Sequence, residues 1–379
     1  MDFNFSDEQK QFADALQRWV AKDYGFEQRK QIIHSPAGVS AQAWSTLAEL
    51  GMTALPIPEQ QGGFNGTAVD MLVVMQEIGR ALVVEPYLAT MMGARFLQLA
   101  GAQEVLLERV ATGELVLACA LLEKQSRYDL ADVETRATAA ADGFVLNGAK
   151  CVVVHGGQAG MLIVSARSSG DTHTQDGISL FVVAADAPGL TVRDYRTIDG
   201  QRAADMVFAN VQVPASALLG QVGRGWDTLD AGADYGAALL CAEAVGAMEA
   251  LNAATLEYLK TRQQFGVPIG KFQALQHKMA DMFIQQEQAR SMATLAAVRV
   301  DGADVEQRRR SVSAAKVRIG QALKYVGQQA IQLHGGMGVT DELPASHYFK
   351  RLSMIELTLG DTDYHLMRFA SQPGFRKLA

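Results

Sequence analysis

The residues best suited to chemistry lie in two short runs of the C-terminal third of the chain. The first extends from Arg262 to Gln273 and carries an arginine and a glutamine on either side of a turn marked by Gly and Pro. The second extends from Gln332 to Gly338 and ends a predicted helix in glycines. A guanidinium offers a planar fork of donors to a pyrophosphate, and glycine lets a backbone approach a ligand closely. Both runs therefore suit a nucleotide.

Each run by itself also has a plainer explanation. Arg262 could be a solvated residue at a helix end, and Gly335-Gly336 could be no more than a helix C-cap. The two runs occur together and in this order, which favours the nucleotide interpretation over the plainer one.

The composition limits the classes of function. The chain has 379 residues, of which 49% are hydrophobic and 20% charged, as is typical of a globular enzyme with a sizeable core. Its formal net charge of -7 leaves no basic surplus for phosphate backbones or anionic membranes, so neither nucleic acid nor a membrane is expected as a partner. The length allows two or three domains.

The cysteines and the N-terminal residues bear on location. Cys119, Cys151 and Cys241 are widely spaced, so neither a metal site nor a disulfide framework is predicted. The N-terminal residues lack a positive region followed by an apolar run, and we expect neither export nor a membrane span. A cytoplasmic location is the resulting expectation.

Three segments must position the candidate residues. Residues 1–115 are expected to be helical, with a capping box at Ser6 and Gln9 and an apolar helix from Met71 to Leu82. Residues 223–379 are expected to form a four-helix bundle, with long helices beginning near Gly225 and Phe272 and a third from Val312 to His334. The expected stripe facing the bundle is formed by Cys241, Val245, Met248, Leu256 and Leu259.

Residues 116–222 are predicted to form an antiparallel β domain. The strand-like runs are Phe144–Leu146, Cys151–Val154, Met161–Val164, Ile178–Val183 and Met206–Val213, and the turn signals are Asp142-Gly143, Asn147-Gly148 and Gly156-Gly157. Strands do not alternate with long helices, and no G-x-G-x-x-G follows a strand, which disfavours a nicotinamide-binding parallel sheet.

The order of these segments and a series of local landmarks resemble the acyl-CoA dehydrogenase family. The landmarks are Leu55–Glu59 before Gly62-Gly63, Glu77–Arg80, Asn147–Lys150, Val211–Pro214 before Leu218–Gly220, and the two C-terminal runs. The runs Tyr195–Gly200 and Gly360–Leu366 are similar to the small-subunit type named for pimeloyl-CoA and related acyl-CoA dehydrogenases. The resemblance implies an α+β multidomain fold: an N-terminal α-helical domain, a middle antiparallel, barrel-like β domain, and a C-terminal α-helical bundle.

The resemblance also implies FAD as the cofactor and an acyl-CoA thioester as the substrate. It implies a homo- or hetero-tetramer in which the C-terminal runs of one subunit reach the FAD of a neighbour, with an electron-transfer flavoprotein as electron acceptor. The cofactor-binding residues would be Leu121, Leu122, Val154, Arg262, Phe265, Gln273, Gln332, Gly335 and Gly336, and the substrate-binding residues Tyr128 and Asp234.

The sequence departs from the family where the flavin and substrate would be lined. In the stretch that matches the family's Thr-Glu-Pro-Gly-x-Gly-Ser-Asp, only Glu123 and Asp129 survive. Val152 and Val154 replace an aromatic wall and a hydroxyl donor, although the backbone amides of Leu121 and Leu122 could still bond the flavin. Ala237 stands where an arginine is often found. His155 is expected to be a surface or capping residue rather than a base.

The family's acidic base has no clear counterpart. Gapless counting places Leu359 at the usual Glu position, and the alternative position in the bundle matches Gly236. Shifting the alignment by an insertion would bring in Asp361, with Asp363 and Glu356 less favoured. Asp361 could equally be a helix N-cap.

Three functions are open at this point. The leading one is a partner subunit of an acyl-CoA dehydrogenase, with a second chain supplying the Glu base. The second is a self-sufficient homotetramer that uses Asp361 on an acyl-CoA or another carbon acid. The third is a non-enzymatic helical scaffold, which the retained Arg262 and Gln332 motifs disfavour.

Overall fold

The computed structural model describes residues 6–101 and 103–373. Residues 1–5, part of the stretch in which no leader was predicted, lie outside this range. The described residues form two compact units. The first unit takes in the described residues up to Gln31, Thr67–Val83, and the described residues from Ala237 onward; the second takes in Ile32–Gly66 and Val84–Gly236.

The N-terminal segment is helical, as predicted. Its helices are α1 (Asp7–Asp23), α2 (Phe26–His34), α3 (Ala41–Glu49), α4 (Ala68–Ala81), α5 (Tyr87–Ala100) and α6 (Glu104–Ala111). The predicted capping box is confirmed, because the Gln9 amide donates to Ser6 Oγ at 3.2 Å and the Ser6 amide donates to Gln9 Oε1 at 2.9 Å.

The middle segment forms one sheet. Its strands are β1 (Leu117–Ala120), β2 (Arg136–Ala140), β3 (Gly143–Val154), β4 (Met161–Arg167), β5 (Ile178–Ala184), β6 (Leu190–Arg196), β7 (Arg202–Pro214) and β8 (Leu218–Leu219). The order is β6-β7-β3-β2-β4-β5-β8, with β1 paired to β4. The predicted β domain is confirmed. Its sheet is mixed rather than purely antiparallel, because β4 pairs in parallel with β1 and β2.

The turn predicted at Asn147-Gly148 is wrong. These residues lie inside β3, where the pairing with β7 shifts register between Leu146 and Gly148. A Cβ on Gly148 would meet Thr135 Oγ1 at 2.5 Å, so glycine is needed for a close approach within a β-bulge. Inward side chains of the sheet form the core, including Leu146, Val164, Phe181, Met206 and Phe208.

The C-terminal segment is helical apart from one short hairpin. Its elements are α7 (Trp226–Thr261), β9 (Gln263–Gln264), β10 (Val267–Pro268), α8 (Gln273–Val300), α9 (Val305–His334), α10 (Pro344–Leu357) and α11 (Thr362–Ala370). The expected stripe on α7 is buried except at Leu256, which is 42% exposed. Helix α9 begins earlier than predicted because Asp304 caps it, accepting from the Gln307 amide at 3.0 Å.

Helix α7 is the one described helix long and apolar enough to cross a membrane by length and composition. Of its most apolar window, 78% is buried inside the protein. Burial of this extent is typical of a core helix, because a helix that is apolar on most sides must be covered.

In the first unit, α4 and α7 approach each other backbone to backbone. A Cβ on Gly246 would lie 1.8 Å from the Gln76 carbonyl oxygen, and one on Gly79 would lie 2.0 Å from that of Glu243. The buried Glu243 carboxylate is held by Arg351, with Nε donating at 2.5 Å and Nη2 at 2.7 Å. Glycine at the contact thus sets the distance at which the two helices pack.

Replacing Gly246 with Ala should separate these helices and destabilise the protein by about 1–3 kcal/mol, the usual cost of overpacking a core. The measurement is the free energy of unfolding in urea. Gly302→Ala is the control, because its Cβ would come no closer than 3.2 Å to the Arg299 carbonyl in an exposed turn; it should change stability by no more than about 0.5 kcal/mol. Equal stability of the two variants would contradict this account.

Candidate cofactor and substrate site

The run from Arg262 to Gln273 forms a hairpin between α7 and α8. Its tip, Phe265-Gly266, has φ angles of 55° and 77°, as a two-residue turn with positive φ at both positions requires. The Phe265 side chain is 90% exposed and meets the Phe272 ring edge-on, with centroids 6.1 Å apart. Arg262 and Gln273 are exposed as well. An aromatic ring this exposed has little part in the fold, so a ligand or another chain is the natural partner.

The structure brings the end of α7, from which this hairpin extends, against the second glycine-containing run. One turn before Arg262, the Tyr258 ring stacks on His334 with centroids 4.5 Å apart, and its hydroxyl donates to the His334 carbonyl at 3.3 Å. His334 directly precedes Gly335. Burial lowers the pKa of His334, which favours a neutral, stacked ring. The sequence analysis missed Tyr258 and His334, for which the only signal was an aromatic residue one helical turn before Arg262.

Gly335 is the C-cap of α9, so the helix-end interpretation of this run is correct as geometry. Its φ of 60° and ψ of -141° are essentially restricted to glycine. A Cβ on Gly335 or Gly336 would meet nothing within 4 Å, so the backbone here is open to an approaching group. An exposed guanidinium, an exposed ring and an uncovered glycine backbone together fit a dinucleotide.

In the second unit, the loop after β1 supplies backbone donors. The Leu122 carbonyl accepts from the Cys151 amide at 2.9 Å, which places this loop beside β3. The Leu121 carbonyl accepts from Lys150 Nζ at 3.2 Å and from Ser165 Oγ at 3.3 Å. The backbone N–H groups of Leu121 and Leu122 belong to the same loop. Those N–H groups suit the edge of a flavin.

Val152 and Val154 lie on β3 next to this loop. Val152 has a φ of 52°, which is unusual for a β-branched residue, and its side chain is 47% exposed. Its amide donates to Asp205 Oδ1 at 3.2 Å, and Tyr195 Oη donates to the same oxygen at 3.2 Å. The pairing of β3 with β7 shifts register between Lys150 and Val153, and Asp205 therefore holds the bulge at Val152 in place. The sequence analysis missed Asp205, because its spacing from other residues matches no recognisable pattern.

Glu123, which the sequence analysis matched to the family motif, has a structural role. Its buried carboxylate accepts from Lys150 Nζ at 2.7 Å and from the amides of Glu134 at 2.8 Å and Thr135 at 3.1 Å. Burial alone would raise the pKa of Glu123, but Lys150 and the other donors outweigh it and lower the pKa to about 2. The other survivor, Asp129, accepts from the Ala131 amide at 2.9 Å. Both residues shape the loop.

Tyr128, Asp234 and His155 have distinct surroundings. Tyr128 is half-buried, with the Arg127 guanidinium 5.3 Å from its ring centroid. Asp234, on α7, is buried. His155 has a φ of 56° in the turn after β3 and is only 2% exposed, so the expected surface position was wrong. Its amide donates to the Arg202 carbonyl at 2.9 Å, which draws the turn against β7.

The carboxyl groups near the C-terminus are engaged in local structure. Asp361 is the N-cap of α11 and accepts from the Tyr364 amide at 2.8 Å. Glu356 is buried, accepts from the Thr362 amide at 3.0 Å and pairs with Lys324 at 2.7 Å. Burial would raise the pKa of Glu356, but these partners lower it. Leu359, which gapless counting aligned with the expected base, has a φ of 55°. Asp361 as a base stays a prediction.

Comparison with known proteins gives the family. The chain matches the models for the acyl-CoA dehydrogenase N-terminal domain over residues 6–114, the middle domain over residues 118–211 and the C-terminal domain over residues 223–372. The chain belongs to the acyl-CoA dehydrogenase family. Members of this family are FAD-dependent oxidoreductases, so the cofactor is FAD.

Individual relatives agree with the family assignment. The chain is 28% identical over 381 residues to a probable acyl-CoA dehydrogenase, YngJ, of Bacillus subtilis, covering 98% of this chain and 99% of the relative. Butyryl-CoA dehydrogenase from Megasphaera elsdenii has a similar structure, with a TM-score of 0.89 at 27% identity and coverage of 98% and 99%.

Two further structures are similar. PigA with FAD and proline superposes with a TM-score of 0.91 at 26% identity, covering 99% of this chain and 100% of that one. A variant of the Tcur3481–Tcur3483 steroid ACAD superposes with a TM-score of 0.88 at 27% identity, covering 98% and 99%.

This acyl-CoA dehydrogenase homologue presents an exposed hairpin at Phe265-Gly266 and a glycine backbone at Gly335-Gly336 that no side chain covers. In residues 6–101 and 103–373, no group of at least three His, Cys, Asp or Glu side chains could hold a metal ion.

Lys150→Met should destabilise the protein by about 3–5 kcal/mol, because it leaves the Glu123 carboxylate buried without its cation. Urea unfolding at neutral pH measures the loss. The double variant Glu123→Gln/Lys150→Met should lose less, since no charge remains buried.

Acid should weaken the wild type in a defined range. The folded pKa of Glu123 is about 2 and its ordinary value 4.5, so its contribution is full above 4.5 and is lost as the pH falls towards 2. The double variant should show a shallower loss of stability over this range. The structural role of the pair would be contradicted if Lys150→Met were as stable as the wild type. It would also be contradicted if the wild type and the double variant lost stability with pH at the same rate over this range.

Proposed function

We propose that this chain is the partner subunit of a hetero-oligomeric acyl-CoA dehydrogenase, in which a second chain carries the Glu that removes the α-proton of the thioester. One observation carries the proposal. The turn after α10 presents Leu359 at the usual base position, while Asp361 caps α11 and Glu356 is buried among Thr362 and Lys324. A base must reach the substrate α-carbon within hydrogen-bond distance, and a carboxylate used as a cap is poorly placed for this.

The residues retained by this chain would hold cofactor. Arg262, Phe265 and Gln273, with Gln332 and the Gly335-Gly336 backbone, would hold the FAD of a neighbouring subunit. The amides of Leu121 and Leu122, beside Val154, would bond a flavin edge. When bound, FAD supplies a hydride acceptor for the β-carbon of the acyl group. For the acyl-CoA, Tyr128 and Asp234 are the proposed contacts.

The proposed complex is an α2β2 tetramer in the cytoplasm. Within this chain, the proposed domains are residues 1–115, 116–222 and 223–379. The similarity to the Tcur3481–Tcur3483 steroid ACAD supports a two-chain assembly, since two gene products are named in that enzyme. An electron-transfer flavoprotein is the proposed acceptor.

The purified chain alone should show no dehydrogenation of acyl-CoA substrates with an artificial electron acceptor, and adding a Glu-bearing subunit should restore turnover. General acid–base catalysis contributes roughly 10²–10⁴-fold, so the difference should be at least about a hundredfold. Robust turnover by the isolated chain that Asp361→Asn abolishes, with FAD still bound, would replace the proposal by the homotetramer that uses Asp361. Absence of flavin absorbance after gentle purification of the complex would favour the scaffold.

Arg262→Met should weaken the affinity of the assembled protein for FAD roughly 10- to 100-fold. This factor corresponds to the loss of one charge-assisted hydrogen bond to a phosphate. Flavin fluorescence released on dilution measures this affinity. Lys260→Met is the matched control, because Lys260 is also exposed, two residues earlier, and its loss should leave retention unchanged. Equal retention by both variants would remove Arg262 from the cofactor site.

A further inference from the structure

Lys316 lies on α9 and is buried against the end of α10. Its ammonium donates to the carbonyl oxygens of Ile355 at 3.0 Å, Glu356 at 3.5 Å and Thr358 at 2.8 Å. The last carbonyls of a helix have no partner within the helix, and a cation near them is favoured by the helix dipole. Lys316 therefore caps α10 from another helix with all three of its N–H donors.

The turn that follows, residues 358–361, is held on its far side by α11. His365 Nε2 donates to the Leu359 carbonyl at 2.9 Å, which makes Nε2 the protonated nitrogen because a carbonyl only accepts. Nδ1 then accepts from Ser313 Oγ at 3.3 Å. Burial, together with the charge of Lys316, lowers the pKa of His365 to about 3, so the ring stays neutral near pH 7.

Neither Leu359 nor Gly360 would adopt its conformation readily without these contacts. Both have positive φ, 55° and 104°, and a Cβ on Gly360 would meet the Tyr364 ring at 2.4 Å. For Leu359, the left-handed conformation of an L-residue costs about 1–3 kcal/mol and persists only where the surroundings fix it. The two carbonyls that flank Leu359 on the chain, those of Thr358 and Leu359 itself, are the ones bound by Lys316 and His365.

We propose that Lys316 is a positioning residue for the turn of residues 358–361, acting with His365 to fix where residue 359 and Asp361 point. The inference rests on the proposed function only in giving this turn a role at the acyl-CoA site. Lys316 touches neither substrate nor cofactor in this role. Its effect passes through the carbonyls of α10 and the turn.

The charge of Lys316 makes the positioning dependent on pH. Burial lowers the pKa of Lys316 to about 8, against the opposing effect of Cys241, Glu356 and Asp361. The groups facing it are thus Cys241 from α7, Glu356 from α10, Asp361 from the turn and His365 from α11. A neutral amine has two N–H donors instead of three, so one carbonyl loses its partner as the pH rises through about 8.

As the pH rises, the free energy of unfolding of the whole protein changes in the opposite direction to the local stability of the turn. The ordinary lysine pKa is 10.5 and the folded value about 8, so between these values the unfolded chain binds more protons and the free energy of unfolding rises with pH. Loosening of the turn over the same range is therefore distinguishable from general unfolding.

Hydrogen exchange of the peptide that covers residues 358–365 tests the proposal on the FAD-loaded protein without substrate. Lys316→Met should raise its exchange rate by about tenfold, the factor given by a loss of about 1.4 kcal/mol of local stability. Arg318→Met is the control, because it removes a cation from the same helix whose partners, Gln285 and Gln288, lie on α8. It should leave the turn unchanged.

A second measurement needs no variant. In the wild type, protection of this peptide relative to peptides of α8 should fall as the pH is raised from 7 to 9. If Lys316→Met fails to fold, Lys316→Arg takes its place, since a longer planar fork cannot meet all three carbonyls in the same way. Wild-type exchange at the turn in the Lys316 variant, or protection that does not change across pH 8, would overturn the proposal. Neither readout depends on turnover, so a failure of the partner-subunit function leaves this test intact.

Discussion

Two buried lysines each place a positive charge among the backbone carbonyls of a segment on which the proposed chemistry depends. Lys150 donates to Glu123 and to the Leu121 carbonyl, and Lys316 donates to the carbonyls at the end of α10. Removing an ammonium from water costs several kcal/mol and is tolerated only where its donors find acceptors. The carbonyls need the lysines in turn, because they lie at or just beyond the ends of a strand and a helix. Each lysine and its segment therefore stabilise one another.

This mutual dependence ties each segment to side chains from elsewhere in the chain. Without Glu123, the ammonium of Lys150 would be buried without a counter-charge. The turn of residues 358–361 is held through the carbonyls of Thr358 and Leu359, which accept from Lys316 and His365. Contacts of this kind act on the backbone, so they do not depend on which side chain residue 359 carries.

Several elements were predictable because their signals are local. The capping box of Ser6 and Gln9 and the β-rich middle segment follow from spacing and β-propensity. The wrong predictions concern residues whose local pattern is compatible with more than one structure. Asn147-Gly148 is a bulge within a long strand, because pairing with β7 on the far side overrides the turn preference. Parallel pairing of β1 with β4 joins residues too distant in the chain for any short pattern to record.

The sequence by itself determined the types of the elements, their order, the family and hence the FAD cofactor, because periodicity and short motifs are written in neighbouring residues. Only the tertiary structure decided that Tyr258 stacks on His334, that Asp205 holds the bulge at Val152, and that Lys316 caps α10. Each of these contacts joins residues tens of positions apart. A buried charge or ring acquires its partner from packing, and the spacing of residues along a chain does not record which distant helix or strand will supply it.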